Sequence, residues 1–414
     1  MKGARGAGRA RRTLVSLCGV LVVAGCGGGS SAATSPHDLV VGLITPTSGL
    51  GGQLAGIVTR GANVAIRDVD ARRLLGTRNV RLDVCDNGSD NGTSDPQKTV
   101  ACAARMLREQ VPAVAITDEG ALAVVKNQLM ANHVLTVGAF GSPDFDDPTH
   151  SPYLFSLVAS NDRFIGITAN YIKSKGYRKV ANLSDTSAPS AAISKALDTR
   201  LQAGGVEVQN ETFGLADVDV SAQTSRVIAA HPDLAFINTY GLVAAHVMSD
   251  FVDAQASFPV LGSAAFSTTP VPLILGGHEI SNLRLTTFTS ATTHSGQAYP
   301  PSLQHLVVGL HADGEGPVAT GGTIFLAMYG YDIVSVITHG YAAAANTDPT
   351  AVKAAIEALR LTRTAGDVYM QDIAYAPGHH FPVCDAGSTD FSYGRVPDTN
   401  GVLTQADPPL PSCT

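Results

Sequence analysis

The stretch DLVVGLITPTSGLGG, residues 38–52, decides how the whole chain reads. Its first half, Asp38 to Ile44, is a short run of branched apolar residues, the signature of a strand covered on both faces. TPTSGLGG then breaks the chain. Beyond it Leu54, Val58, Ala62, Ala65 and Val69 recur at helical spacing, so a helix follows with one apolar face. A buried strand and a covering helix make one turn of an α/β winding.

The same alternation continues down the chain. NVRLDVC (Asn79 to Cys85) predicts a second strand, and Asp95-Pro96 an N-cap and first helical residue. AVAI (Ala113 to Ile116) precedes a helix near 120–131, and VLTV (Val134 to Val137) leads into a loop. The pattern restarts after Tyr153. A helix over Asn161 to Lys175 leads to KVANL (Lys179 to Leu183), then VEVQNE (Val206 to Glu211), LAFI (Leu234 to Ile237) and VLG (Val260 to Gly262). Alternation of this kind winds parallel sheets with helices on both faces. Two sets, divided near 155–160, imply an α/β protein of two doubly wound parallel-sheet lobes. About 375 residues follow residue 37, more than one core usually holds, which agrees with two domains.

Upstream of the first strand the chain reads as an export signal. Lys2, Arg5, Arg9, Arg11 and Arg12 precede a short apolar run from Thr13 to Val23, then Ala24 and Gly25. That run is too short to span a bilayer as a helix. Val23-Ala24-Gly25-Cys26 resembles the lipobox of bacterial lipoproteins, which implies cleavage before Cys26 and a lipid on its thiol. GGGSSAATSP beyond it reads as a flexible tether, so residues 1–25 are expected to be leader and 26–37 tether. Losing five of the 28 Lys and Arg while keeping all 35 Asp and Glu takes the formal charge from −7 to about −12. So acidic a surface argues against a nucleic-acid partner.

Cysteine usage agrees with export. Cys85, Cys102, Cys384 and Cys413 remain beyond the anchor, and four cysteines allow three pairings. Proximity favours Cys85–Cys102 and Cys384–Cys413, each contributing about 3 kcal/mol in a chain-entropy estimate. No C-x2-C or regular Cys/His spacing suggests a metal. His379 and His380, in a Gly- and Pro-flanked loop, are expected to be solvated. No cofactor is expected.

Residues 38–345 resemble the Leu/Ile/Val-binding class of type I periplasmic binding proteins, which serve ABC importers. The resemblance is carried by VVGLITPTSGLGG, RGANVAIRDVDA, DPQKTVACAARML, HSPYLFSLVASND, YIKSKGYRKVANLSD and LQAGGVEV, in that order. It implies two lobes joined by three hinge strands, with a small ligand bound between them and a membrane permease as partner. Lobe one would hold 38–157 plus 288–365, and lobe two 158–287 plus 366–414. The implied protein is a monomer outside the cytoplasm, tied to the membrane through Cys26. A ligand sensor using the same cleft is the alternative function.

In open parallel sheets, ligands collect beyond the carboxyl ends of the strands. Loop position therefore nominates Asp118 and Gly120 after the third strand, and Phe140, Gly141 and Ser142 after the fourth. On the facing lobe it nominates Asp185 and Thr186, then Tyr240, then Ser263, with Ser48 in the first loop as a further candidate. Glu119 reads more simply as a first-turn acid of its helix. Amino-acid binders of the class place hydroxyls where this chain has TDEGA and GAFGS. Their acid for the ligand ammonium falls at Ser263-Ala264, and their aromatic near Ala188-Pro189. Those departures argue against a standard α-amino acid and favour an apolar or neutral polar ligand, such as an amide or aromatic compound. No G-x-S-x-G, G-x-x-x-x-G-K or H-E-x-x-H motif points to catalysis, and GEGPVA (Gly314 to Ala319) follows no strand.

Overall fold

The computed structural model describes residues 38–49, 52–90, 93–263, 266, 283–312, 324–382 and 391–407. The leader, Cys26, the tether, Gly314 to Ala319, Cys384 and Cys413 lie outside the described residues. The opening stretch folds as read: β1 is Leu39–Thr45 and α1 is Gly52–Arg72. Then come β2 (Val80–Asp86), α2 (Pro96–Arg108), β3 (Ala113–Ile116), α3 (Glu119–Ala131), β4 (Leu135–Gly138) and β5 (Leu154–Ser156). These strands form one sheet in the order β2-β1-β3-β4-β5, every neighbouring pair parallel.

The second winding repeats the plan. It contains α4 (Asn161–Ser174), β6 (Lys179–Asp185), α5 (Ala188–Ala203), β7 (Glu207–Phe213), α6 (Ser221–Ala230) and β8 (Leu234–Asn238). It continues through α7 (Gly241–Asp253), β9 (Val260–Gly262) and β10 (Leu283–Phe288). Its parallel strands run β7-β6-β8-β9-β10, so second-first-third-fourth-fifth occurs twice in one chain. That order puts a topological switch point beside the first strand of each set, where a crevice opens.

Local chemistry explains the elements. Asp95 caps α2 as its position predicts, its carboxylate accepting the Gln97 and Lys98 N–H groups at 2.7 and 3.0 Å. The predicted Cys85–Cys102 disulfide is formed and ties β2 to α2, with Cα atoms 5.8 Å apart. Burial on both faces follows from helices on both sides of each sheet. Leu39, Val41 and Leu43 of β1 pack towards α1, whereas Ile44 packs with Met106 of α2 and Leu122 of α3. Each such side chain contributes roughly 1.5–3 kcal/mol on burial.

After β10 and the two-residue β11 (Thr292–Thr293), the chain returns to the first lobe as α8 (Pro301–His311), α9 (Phe325–Ala344) and α10 (Pro349–Glu357). Helix α9 lies backbone to backbone against α1. A Cβ on Gly61 would overlap the Ala327 carbonyl, and one on Gly330 would overlap the Val58 carbonyl. The two glycines thus let α9 approach close enough to bring its N-terminal turn to the first sheet's carboxyl edge.

The C-terminal segment divides differently from the expected 366–414. Val368, Tyr369, Met370, Ile373 and Tyr375 lie in the core of the first sheet. The short β12 (Arg360–Leu361) and β13 (Ile373–Ala374) pair antiparallel there. Asp332 of α9, fully buried, accepts the Tyr369 and Met370 N–H groups at 2.7 and 2.9 Å. Burial pushes its carboxyl up to about 8 against those two hydrogen bonds. Only afterwards do β14 (Phe391–Pro397) and β15 (Leu403–Gln405) join the second sheet, β14 antiparallel to β10. The apolar side chains from Val368 to Tyr375 explain the division, since they fill the edge of the first sheet beside β5. The chain thus passes between lobes at 157–160 and at 294–300, and from Phe391 it is again part of the second sheet.

His380 is also a correction. Instead of being solvated it is fully buried, stacked on Phe155 with ring centroids 4.1 Å apart. Nδ1 lies 2.9 Å from the Leu154 carbonyl and Nε2 2.9 Å from the Glu357 carboxylate. Both ring nitrogens find acceptors, which is what lets a polar ring sit in the core. His379 stays exposed.

A candidate binding cleft between the two sheets

The carboxyl ends of the two sheets face each other across a cavity of about 520 Å³. That is within the usual size of a small-molecule site, roughly 300–1,000 Å³. Its lining is mostly apolar: Val124, Ala139, Val158, Phe164, Ile193, Leu215, Phe288, Phe325 and Leu326, with the bodies of Tyr240 and Tyr329. Polar groups interrupt it: Asp118, Glu119, Asn161 and Asn238, and the hydroxyl residues Thr93, Ser94, Thr99, Thr117, Ser187, Ser190 and Ser263. Among the described residues that line it there is no Lys, Arg or His. Ser94, also on the lining, has a buried hydroxyl without a hydrogen-bond partner.

The first-lobe wall is built by loops that hold one another. Asp118 N-caps α3, its Oδ1 accepting the Ala121 N–H at 2.6 Å. Glu119 reaches across to the loop after β4, accepting the Gly141 N–H at 3.2 Å and the Ser142 N–H at 3.0 Å. The Tyr329 hydroxyl donates to the Ile116 carbonyl at 3.0 Å and accepts the Ala139 N–H at 3.0 Å, clamping the ends of β3 and β4 together. Burial pushes both carboxyls up: Asp118 against N–H groups of Ala121 and Gly120, Glu119 against those of Gly141 and Ser142.

Among the described residues, the second-lobe wall carries no acid on the lining. Asn238 donates to the Ser190 carbonyl at 3.0 Å, and Ser263 Oγ accepts the Phe266 N–H at 3.2 Å. Tyr240 stands at the N-cap of α7 without a side-chain cap bond. Burial raises its phenol, and then the charges of Asp118, from the facing lobe, and Asp185.

Of the residues nominated by loop position, Asp118, Gly120, Gly141, Tyr240 and Ser263 come together on this lining. The others are placed elsewhere. Phe140 is fully buried in the first-lobe core, edge-on to Phe145 at 5.9 Å. Ser142 uses its N–H on Glu119. Asp185 sits beneath the wall, accepting the Ser187 N–H at 2.9 Å and the Ser190 hydroxyl at 2.8 Å. Thr186 is exposed and bonded through its N–H to the Phe213 carbonyl. Ser48 belongs to a turn around Asp86, whose carboxyl, despite burial, is held well below its ordinary value by hydrogen bonds from Ser48, Gly88 and Thr47.

Loop position missed Glu119 as a wall residue, because a first-turn acid explains it equally well. Asn161 and Val158 follow β5 and could have been nominated by the same rule. Phe325, Leu326 and Tyr329 gave no local signal, being more than 180 residues from the loops they join.

This architecture and the comparisons agree. The sequence profile of the periplasmic binding proteins matches residues 38–386, and the chain belongs to that family. Its fold is the type I arrangement of the family, and the family is one of solute binders. A curated relative, the Leu/Ile/Val-binding protein BraC3 of Rhizobium johnstonii, is 24% identical over 237 residues. That match spans 56% of this chain and 63% of the length of BraC3. Among solved structures, a solute-binding protein of an R. palustris ABC transporter in complex with 4-hydroxybenzoate superposes with a TM-score of 0.72 at 17% identity. The match covers 90% of this chain and 96% of that one. A leucine-binding protein of Thermotoga maritima gives 0.72 at 18% identity, covering 89% and 98%. At these identities the likeness is one of fold.

Proposed function

We propose that the protein is an extracytoplasmic solute receptor that captures a small molecule between its lobes and delivers it to an ABC-type importer. Its ligand on this reading is an apolar or neutral polar molecule, such as an amide or an aromatic compound, and not a standard α-amino acid. The cavity carries the reading. It lies where the carboxyl ends of two parallel sheets meet, its exposed surface is mostly apolar, and its polar groups come from both lobes. A zwitterion needs a partner for its carboxylate as well as its ammonium, and a buried charge without one costs several kcal/mol. The described lining offers acids but no cation.

Closure supplies the mechanism. Tyr240 and Ser263 stand on one lobe, Asp118 and Gly141 on the other, so a ligand touching both favours the approach of the lobes. Only contacts better made in the closed state shift the population towards it. A permease that recognises the closed form then receives loaded receptor, and a lipid on Cys26 holds the receptor near it. As a monomer it presents one cleft per anchor.

Thermal shift against amides, aromatic acids, amino acids and sugars tests the ligand class. A ligand at 100 times its Kd adds about 2.7 kcal/mol to the folded state. Small-angle scattering should then show a smaller radius with the hit. Tight leucine binding would overturn the ligand class, and a scattering curve indifferent to every hit would overturn the closure. Mass spectrometry of the membrane fraction checks the acyl group on Cys26.

A further inference from the structure

A carboxylate already sits where the first-lobe wall offers its best anion donors. The Gly141 and Ser142 N–H groups, at the carboxyl end of β4, both point to Glu119, at 3.2 and 3.0 Å. One step away, the free N–H of Ala121 at the start of α3 is taken by the Asp118 carboxylate at 2.6 Å. Backbone donors of this kind are what would hold the carboxylate of a ligand. In this protein they are spent on its own side chains, and the two acids stand on the lining of a cavity whose described residues include no cation.

We propose that Glu119 is a specificity-determining residue: a built-in anion that fills the donor pair of the β4 loop and turns the cleft against carboxylate ligands. This rests on the solute-binding reading above and names the polar end of the ligand, a hydrogen-bond donor such as a carboxamide or amine. A carboxylate arriving at this wall finds its donors occupied and two acids beside it. A carboxamide instead brings N–H groups that the acids can accept. Asp118 stands on the same lining, facing Tyr240 of the other lobe, to receive them. The ring or chain of the ligand then lies against Phe164, Phe288 and Phe325.

If Glu119 merely staples the β4 loop, its removal loosens the wall and weakens all ligands alike. If it sets charge preference, the ratio between two ligands of equal shape changes. Benzamide and benzoate are such a pair, and isothermal titration of each against wild type, Glu119→Gln and Glu119→Ala separates the readings. Circular dichroism and Tm first establish that each variant is folded, the Gln variant preserving the shape should the Ala variant fail. Wild type should prefer benzamide at least tenfold. Glu119→Ala, with two N–H groups released and one charge removed, should shift the ratio at least tenfold towards benzoate, and Glu119→Gln should shift it in the same direction by less. A ratio unchanged in both variants overturns the proposal, as does a wild-type preference for benzoate, and either result leaves the solute-binding function standing. Failure of both probes to bind all three folded proteins, together with no hit in the solute screen, overturns the function and this inference with it.

Discussion

The two walls of the cleft are cut from the same plan and end in opposite chemistry. Each rests on five parallel strands in the order second-first-third-fourth-fifth, with helices on both faces. Each also has an aspartate at the carboxyl end of a strand that satisfies a backbone N–H ahead of the next helix core: Asp118, just after β3, takes that of Ala121, and Asp185, the last residue of β6, takes that of Ser187. On the first lobe, however, the aspartate and its neighbour Glu119 stand on the lining. On the second, Asp185 is buried beneath the wall and amide, hydroxyl and phenol groups face the cavity instead. Repetition of the winding therefore fixes where the cleft opens, while one or two residues per loop decide which groups each lobe presents to it. Distant sequence also completes each lobe differently: helix α9 and the segment after Val368 return to the first, whereas only the strands β14 and β15 return to the second.

That last contrast predicts the largest effect. Gly61→Val places atoms inside the Ala327 carbonyl and must push α9 off α1, moving Tyr329 and Phe325 with it. Overpacking of this kind costs about 3 kcal/mol. Urea unfolding should show that loss together with weakened ligand binding. An unaffected midpoint would mean that the helices do not lie backbone to backbone. No position in the second wall depends on a glycine pair of this sort among the described residues, so a valine on the exposed helix face there, at Lys195, should be near neutral.

The two tyrosines sharpen the comparison at a smaller scale. Tyr329→Phe leaves the Ala139 N–H without its acceptor in the first wall and removes a bond to Ile116. An unsatisfied buried donor costs about 2 kcal/mol. Tyr240 makes no side-chain hydrogen bond among the described residues, so Tyr240→Phe should change stability by less than about 0.5 kcal/mol and act on ligand affinity alone. Equal losses from the two substitutions would erase the distinction between a structural and a ligand-facing tyrosine. Between these lies Asp185→Ala, which leaves the Ser187 N–H and the Ser190 hydroxyl without their acceptor and should cost about 1 kcal/mol, while the benzamide-to-benzoate ratio stays untouched because Asp185 is off the lining.

What the sequence disclosed follows the same division. The windings were legible because branched apolar runs, Asp-Pro caps and helical spacing are local signals, and Asp38–Val69 alone contains a full unit. Of the residues nominated in the loops beyond those strands, Asp118, Gly120, Gly141, Tyr240 and Ser263 meet on one lining. Contacts between distant segments were not legible. Tyr329 reads as one more apolar position of a helix until Gly61 and Gly330 let that helix approach the cleft. His380 looked solvated beside Gly378, because nothing nearby in sequence shows that Glu357 and the Leu154 carbonyl will receive its ring. Glu119 hides for another reason: a helix N-terminus welcomes an acid whether or not a ligand cares about it.

The smallest expected effect is a pH dependence that only the first wall should show. Burial raises the carboxyls of Asp118 and Glu119, so in the folded state they hold protons at pH values where the unfolded chain has lost them. Between the unfolded values near 4 and the higher folded ones, the native state binds more protons, and stability falls as pH rises. Their contribution is therefore most favourable in acid and is withdrawn on the way to neutrality, the opposite of Asp86, whose lowered carboxyl stabilises the fold at neutral pH and loses that effect in acid. Asp118→Asn with Glu119→Gln removes both titrations while Asn keeps a capping oxygen on α3. Unfolding free energies of wild type and double variant, measured from pH 4 to 7, should diverge steadily, the variant gaining relative to wild type as pH rises. A level difference for the first-wall variant would show that its acids are hydrated like surface carboxylates, and the contrast between the walls would then lie in position alone.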